Sequence, residues 1–112
     1  MKKIEAIIRP TKLEPLKDAL TAADVKGMTI SQVKGFGNQY GWKEYFRGSE
    51  ILVNLLPKVK FEIVTTDERV QEIVDIIIAT TRTGDVGDGK IFIYPLEEVI
   101  RIRTDERNDD AI

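Results

Sequence analysis

Hydrophobic and polar positions alternate from Lys2 to Ile8. Ile4, Ala6 and Ile8 fall on one side and Lys3, Glu5 and Ile7 on the other. That period of two predicts a half-buried strand, which Pro10 closes. Thr11-Lys12-Leu13-Glu14 has the spacing of a capping box, with a hydroxyl for an orphan amide and a carboxylate reaching back. Leu13, Leu16, Leu20 and Ala23 follow at helical spacing. Pro15 limits how early this helix begins, and Gly27 is the expected stop. Met28 to Phe36, rich in Thr, Ile and Val, predicts a second strand. Val59, Phe61 and Ile63 alternate with Lys58, Lys60 and Glu62 and predict a third. Thr65-Thr66-Asp67-Glu68 is a second capping-box pattern. Behind it, Val70, Ile73, Val74, Ile77 and Ile78 form the most regular amphipathic stripe in the chain. Lys90 to Pro95 predicts a fourth strand and Val99 to Arg103 a short fifth.

Between Gly37 and Pro57 no helical period is found, although Ile51 to Leu56 is strand-like. About twenty residues without assigned structure inside a compact domain are usually functional or disordered. The order is thus β-α-β-loop-β-α-β plus a small strand. It predicts an α+β, ferredoxin-like sandwich: two helices on one face of a four-stranded antiparallel sheet. The expected organisation is a single domain over 1–112, with an exposed effector loop at 37–57 and a mobile tail at 104–112.

Composition narrows the chemistry. The 112 residues are 42% hydrophobic and 32% charged, which suits one folded domain with a modest core. There is no histidine and no cysteine. Disulfide frameworks, zinc fingers, thiol nucleophiles and Ser-His-Asp sites are therefore excluded. The net charge of −2 argues against nucleic acid as the main partner. No apolar run approaches the ~20 residues of a membrane span. Glu5 interrupts any signal-peptide core, so a cytoplasmic protein is expected.

Five features carry candidate chemistry. Thr83-Gly-Asp-Val-Gly-Asp-Gly-Lys90 has three glycines in six residues, so backbone amides can converge beside a lysine. This is either a phosphate cradle or an ordinary glycine-rich turn. It nearly spells a Walker A motif. However, Ile91 stands where Ser or Thr should hold Mg²⁺, and the loop runs from helix into strand, so a P-loop NTPase is rejected. Arg101 and Arg103 flank Ile102: two guanidinium forks for phosphate, or a strand end paired with the acidic tail. Tyr40, Trp42, Tyr45 and Phe46, half of the eight aromatic residues, sit in the long loop. They suggest a partner surface rather than packing onto the body. Ser49 is a possible phosphate acceptor or simply a solvated hydroxyl. Glu62 either reads a ligand or pairs with Lys58 or Lys60.

Together, Gly35-Phe-Gly37, Gln39, Gly41, Arg47-Gly-Ser-Glu50, Leu56 to Val64, Thr83 to Phe92 and Ile100 to Thr104 strongly resemble the PII signal-transduction family, over essentially the whole chain. The resemblance implies a compact homotrimer that binds ATP or ADP competitively in three clefts between subunits. It implies transmission of the outcome to a transporter, enzyme or regulator through the long loop. By position, Gly87, Asp88, Gly89 and Lys90 look like the phosphate-binding loop, with Arg101 and Arg103 as further phosphate contacts. Ile7, Thr29, Gly35, Glu62 and Val64 look like adenine and ribose surroundings, with Gly37 and Asn38 also in the nucleotide site. Gln39 looks like the Mg²⁺ ligand. Gln39, Gly41 and Lys58 look like the 2-oxoglutarate site.

Departures from the family pattern qualify these expectations. Ile51 stands where many bacterial members carry a modifiable tyrosine, so uridylylation there is chemically impossible. Phe46 replaces the other signature tyrosine. Asn38 replaces the usual arginine, and Tyr40 a common basic residue. A neutral amide forms a hydrogen bond about half as strong as a charge-assisted one. The expectation is a divergent member that senses energy state through nucleotides, with a weak or absent 2-oxoglutarate response. The alternatives are ordinary ATP- and 2-oxoglutarate-dependent nitrogen regulation, a slow ATPase, or another ferredoxin-like ligand module. No base stands out for the ATPase. For the ligand module, the charge and the lack of an RNA-binding aromatic signature weigh against RNA.

Overall fold

A computed structural model describes side chains over 1–36 and 55–112, with backbone assignment also at 42–46 and 49–53. The chain runs β1 (Lys2–Ile8), α1 (Leu13–Ala22), β2 (Thr29–Gly35), β3 (Trp42–Phe46), β4 (Ser49–Val53), β5 (Leu56–Thr65), α2 (Val70–Thr81) and β6 (Lys90–Pro95). Strands order as β2-β5-β1-β6 in one antiparallel sheet. The expected α+β sandwich is therefore present. Among the described residues no helix is long and apolar enough to cross a membrane.

Strand alternation builds the core. Ile4, Ala6 and Ile8 of β1 and Val59, Phe61 and Ile63 of β5 face the helices, which return Leu16, Leu20, Ile73 and Ile77. All ten are at most 2% exposed. Among the described residues, the opposite face of the sheet has no helical cover. Register places Lys3, Glu5 and Ile7 there, beside Lys60, Glu62 and Val64, Thr29 and Ser31, and Lys90, Phe92 and Tyr94.

Three local expectations are corrected. Neither capping box forms: Thr65 is a buried strand residue paired with Lys2, and neither helix entry has a side-chain cap. Both helices are entered through one 3₁₀ turn, at Pro10–Lys12 and Asp67–Arg69, which satisfies first-turn amides from the backbone (Lys12 N to Arg9 O, 3.0 Å; Arg69 N to Thr66 O, 3.2 Å). Secondly, α1 stops before Gly27. Asp24 takes the left-handed conformation (φ 62°), with Val25 N donating to Leu20 O at 3.0 Å and Asp24 N to Thr21 O at 3.0 Å. This is a Schellman motif, sealed by the Val25–Leu20 apolar pair of the core.

Thirdly, the short strand at Val99–Arg103 shrinks to one bridge, Ile100 with Arg107. Pro95 ends β6, and the segment beyond it pairs with its own tail rather than with the sheet. A short 3₁₀ helix, Asn108–Ala111, follows. The span read as a loop at 37–57 contains a two-stranded pair, β3 with β4, and the first residues of β5. Strands of five residues with mixed polarity show no clear period, so pairing rather than pattern reveals them.

Candidate functional site

The glycine-rich segment is built between α2 and β6. Gly84 (φ 93°), Gly87 (φ 104°) and Gly89 (φ 101°) all sit where L side chains are disfavoured. Gly89 also lies against β1: a Cβ there would fall 1.7 Å from the carbonyl oxygen of Ile7. The loop thus rests on the β1 backbone, at the end of the sheet where Ile7 pairs with Lys90.

Asp88 organises this loop from within. Its Oδ2 accepts from the amides of Thr83 (2.8 Å) and Gly84 (2.9 Å). Its Oδ1 accepts from Thr83 Oγ1 (2.5 Å) and Arg9 Nε (3.2 Å). The Thr83 hydroxyl first, then the Thr83 and Gly84 amides and Arg9, hold its carboxyl well below the usual carboxylate range. Arg9 Nη2 also donates to the Val86 carbonyl at 2.8 Å. Lys58 Nζ donates to the Gly87 carbonyl at 2.8 Å. Lys58 is 6% exposed, and burial, then the neighbouring Arg9, pushes its amine pKa down while Asp88 pulls it up. Among the described residues, the amides of Gly87, Asp88 and Gly89 meet no protein acceptor. Such amides, together with left-handed glycines and the exposed Lys90, suit a phosphate group. A cleft of about 420 Å³ between α2 and β6 adjoins the loop, where Asp88, Gly89 and Lys90 meet Val74, Ile78 and Ile91.

Of the other sequence-predicted residues, Gly35 lies near the loop and the rest lie further away. Gly35 is beside Lys58: a Cβ on it would meet Lys58 Cγ at 3.0 Å. Thr29 and Glu62 pair across β2 and β5, and Val64 pairs with Lys3, towards the far end of the sheet. Glu62 Oε1 lies 3.6 Å from Lys60 Nζ and 3.9 Å from Lys3 Nζ. Pro95, which ends β6, is a strand length of about 17 Å from Lys90, and Arg101 and Arg103 come six and eight residues after it. Arg101 Nη1 bonds Glu106 Oε1 at 3.1 Å, and its amide bonds the Glu106 carbonyl at 2.9 Å. Arg103 is exposed. A cavity of about 380 Å³ at this end is lined by Gly27, Val64, Thr66, Arg69, Ala111 and Ile112.

One chain therefore separates the candidate residues. Ile7, Gly35, Lys58 and the 83–90 loop are at one end of the sheet; Thr29 and Glu62 lie in its middle row, level with Glu5 and Phe92, and Val64 lies one row further, level with Lys3 and Tyr94, while the two arginines follow the Pro95 end of β6. Gly37, Asn38, Gln39, Tyr40 and Gly41 lie outside the described residues, as do the side chains of Trp42, Tyr45, Phe46 and Ser49. Sequence reasoning missed Arg9. It stands 79 positions before Asp88, and only the fold joins them.

Comparison with known proteins adds identity to this geometry. Residues 1–106 match the family described as Nitrogen regulatory protein P-II. The chain is 58% identical to Nitrogen regulatory protein P-II of Nostoc punctiforme, over 112 residues and the whole of both chains. It is 54% identical to Nitrogen regulatory protein P-II of Pasteurella multocida, again over 100% of both. It is also 54% identical to Nitrogen regulatory protein P-II 1 of Escherichia coli K12, with the same full coverage. With a family match through residue 106 and relatives aligned end to end, the chain belongs to the nitrogen regulatory P-II family of signal-transduction regulators.

Proposed function

We propose that this regulator senses cellular energy state by binding ATP and ADP competitively, and controls a transporter, enzyme or other regulator through the 37–57 segment. The observation that carries the reading is the separation, within one chain, of the glycine loop from Val64 and the segment that follows Pro95. A nucleotide needs both a phosphate cradle and further cations, and a second copy of the chain can supply what one copy separates. A cyclic homotrimer provides three such junctions. Strand β6 supports assembly: Phe92, Ile93 and Tyr94 are 42–47% exposed on an unpaired sheet edge. Exposed apolar edges of this kind are usually covered.

In this reading, Gly87 and Gly89 present amides to phosphate and Lys90 adds charge. Arg101 and Arg103 approach from a neighbour, and Thr29, Glu62 and Val64 of that neighbour surround the base and sugar. Mg²⁺ enters with the phosphates at Gln39. The response to 2-oxoglutarate is weak or absent, because Asn38 lacks the guanidinium charge. The names of the relatives support nitrogen regulation as the physiological setting, and the protein acts in the cytoplasm. Partner control requires that the partner bind the ATP and ADP forms with different affinity. Any ATP hydrolysis is a slow side activity.

Calorimetric titration with ATP, ADP, Mg²⁺ and 2-oxoglutarate, with sedimentation for assembly, tests the proposal. Mutually exclusive ATP and ADP binding, three sites per trimer, is expected. Absence of nucleotide binding overturns it, and tight ATP-dependent 2-oxoglutarate binding moves the reading to combined carbon and nitrogen sensing. A pull-down compared under ATP and under ADP identifies the partner.

A further inference from the structure

Arg69 closes the 3₁₀ turn that enters α2, and its side chain reaches back to the end of α1. Nη2 donates to the Ala23 carbonyl at 2.6 Å and Nη1 to the Asp24 carbonyl at 3.3 Å. Nε and Nη2 also donate to the two carboxylate oxygens of Glu72, in the first turn of α2, at 3.3 and 3.2 Å. The carbonyls that end a helix lack partners within it and carry the negative end of its dipole, so a guanidinium suits them.

This arrangement needs an arginine. Glu72 holds the guanidinium plane along one edge, and the remaining donors fall on two successive carbonyls. An ammonium offers the charge without the fixed fork.

The clamp holds the connection into β2. Asp24 is left-handed (φ 62°), Val25 turns into the core, and Thr29 begins β2. Asp24, Gly27, Val64 and Arg69 line one cavity of about 380 Å³. The connection and the end of β5 thus face one another across this space, with Arg69 in its wall. Thr29 and Val64 are residues to which the reading above gives the base and sugar.

We propose that Arg69 is a positioning residue for the base side of the nucleotide site: through its fork it clamps the end of α1 to the start of α2, and so fixes the 24–28 connection, with the first residue of β2, opposite Val64. Its effect runs through the connection and not through contact with nucleotide. The functional part rests on the nucleotide reading above, whereas the clamp itself is testable without ligand.

The test compares Arg69→Met, Arg69→Lys and Glu72→Gln. The first readout is hydrogen exchange at the Asp24 and Val25 amides, which bond back into α1, in nucleotide-free protein. The second is affinity for ATP and for GTP by calorimetry, since the two share sugar and phosphates and differ only in the base. Charge-assisted bonds at a half-exposed site correspond to about three- to tenfold. Arg69→Met is expected to exchange at the two amides faster by that factor, with the amides of β1 and β5 unchanged. Its ATP affinity is expected to fall by a similar factor and its GTP affinity by less, so that preference for ATP narrows. Arg69→Lys is expected to match Arg69→Met, and Glu72→Gln to shift in the same direction by less. Wild-type values in Arg69→Lys overturn the proposal, since charge alone then suffices. Equal losses for ATP and GTP overturn the base-side role, as does faster exchange with both affinities unchanged. Unchanged exchange in Arg69→Met overturns the clamp. If Arg69→Met exposes the amides of β1 and β5 as well, the milder Glu72→Gln carries the same comparison. A wild type that binds no nucleotide overturns the nucleotide reading and the base-side role with it, and exchange then decides the clamp by itself.

Discussion

At the scale of single residues, contact with the backbone matters most at Gly89. A methyl group there meets the Ile7 carbonyl oxygen, and the position is left-handed as well. Gly89→Ala is expected to lower stability by at least about 2 kcal/mol, combining left-handed strain with overpacking against a strand. Denaturant unfolding measures this, and a loss near zero contradicts the observed approach. Asp88 makes a pH prediction. Its folded pKa is depressed by Thr83, Gly84 and Arg9, so its contribution is present above the unfolded carboxylate pKa of about 3.9. It is lost as pH falls from there through the folded value. Exchange at the Thr83 and Gly84 amides, normalised for intrinsic rates, is expected to accelerate between about pH 4 and pH 2. In Asp88→Asn that acceleration disappears. Asp88 was legible as part of a glycine-rich motif. That its carboxylate turns inward to four donors was not, because nothing in the spacing distinguishes a ligand contact from an internal brace.

Elements show the same division between pattern and context. The amphipathic stripe of α2 located its buried face: Ile73 and Ile77 are each 1% exposed. Ile77→Ala is expected to cost about 2–5 kcal/mol, read as a shift in the unfolding midpoint at unchanged slope. The helix ends were not legible in this way. Glycine is the usual signal for a left-handed cap, yet Asp24 occupies that position, three residues before Gly27. Asp24→Gly relieves left-handed strain of about 1–2 kcal/mol and loses part of that gain to chain entropy. A net gain of about 0.5 kcal/mol is expected from the same unfolding measurement, and a clear loss would show that the Asp24 side chain is needed. The capping-box motifs failed for a tertiary reason. Sheet pairing claims Thr65, so the chain reaches α2 through a 3₁₀ turn instead.

For the whole molecule, the separation of the candidate residues gives a sharp test of the proposed shared nucleotide site. Lys90→Ala damages the loop of a subunit, and Arg101→Ala the segment that follows Pro95. If each site joins one loop to a neighbour's arginines, each homotrimer lacks function at all three junctions. Trimers refolded from a mixture place an intact loop against intact arginines at one junction. Recovery of about one ATP site per mixed trimer is expected by calorimetry. No recovery contradicts a site shared between subunits. In the single chain, Arg101 is held by Glu106 at 3.1 Å. If Arg101 takes a phosphate as proposed, that carboxylate must be displaced, and Glu106→Gln is expected to tighten ATP binding by a few fold, within the modest range of exposed ion pairs.

The chain alone determined the order of its four main-sheet strands and two helices, its sandwich class, its principal core positions and the composition of its glycine loop. Those follow from local periods, glycine spacing and the absence of histidine and cysteine. Tertiary structure decided what each polar residue is paired with. It brought Arg9 and Lys58 to carbonyls of a loop far along the chain, turned Asp88 inward, and reduced the last strand to one bridge. It also separated the glycine loop, at one end of the sheet, from Val64 and the segment that follows Pro95. Periodicity records which face a residue occupies, whereas contacts between distant segments depend on strand order and register, which no local pattern carries.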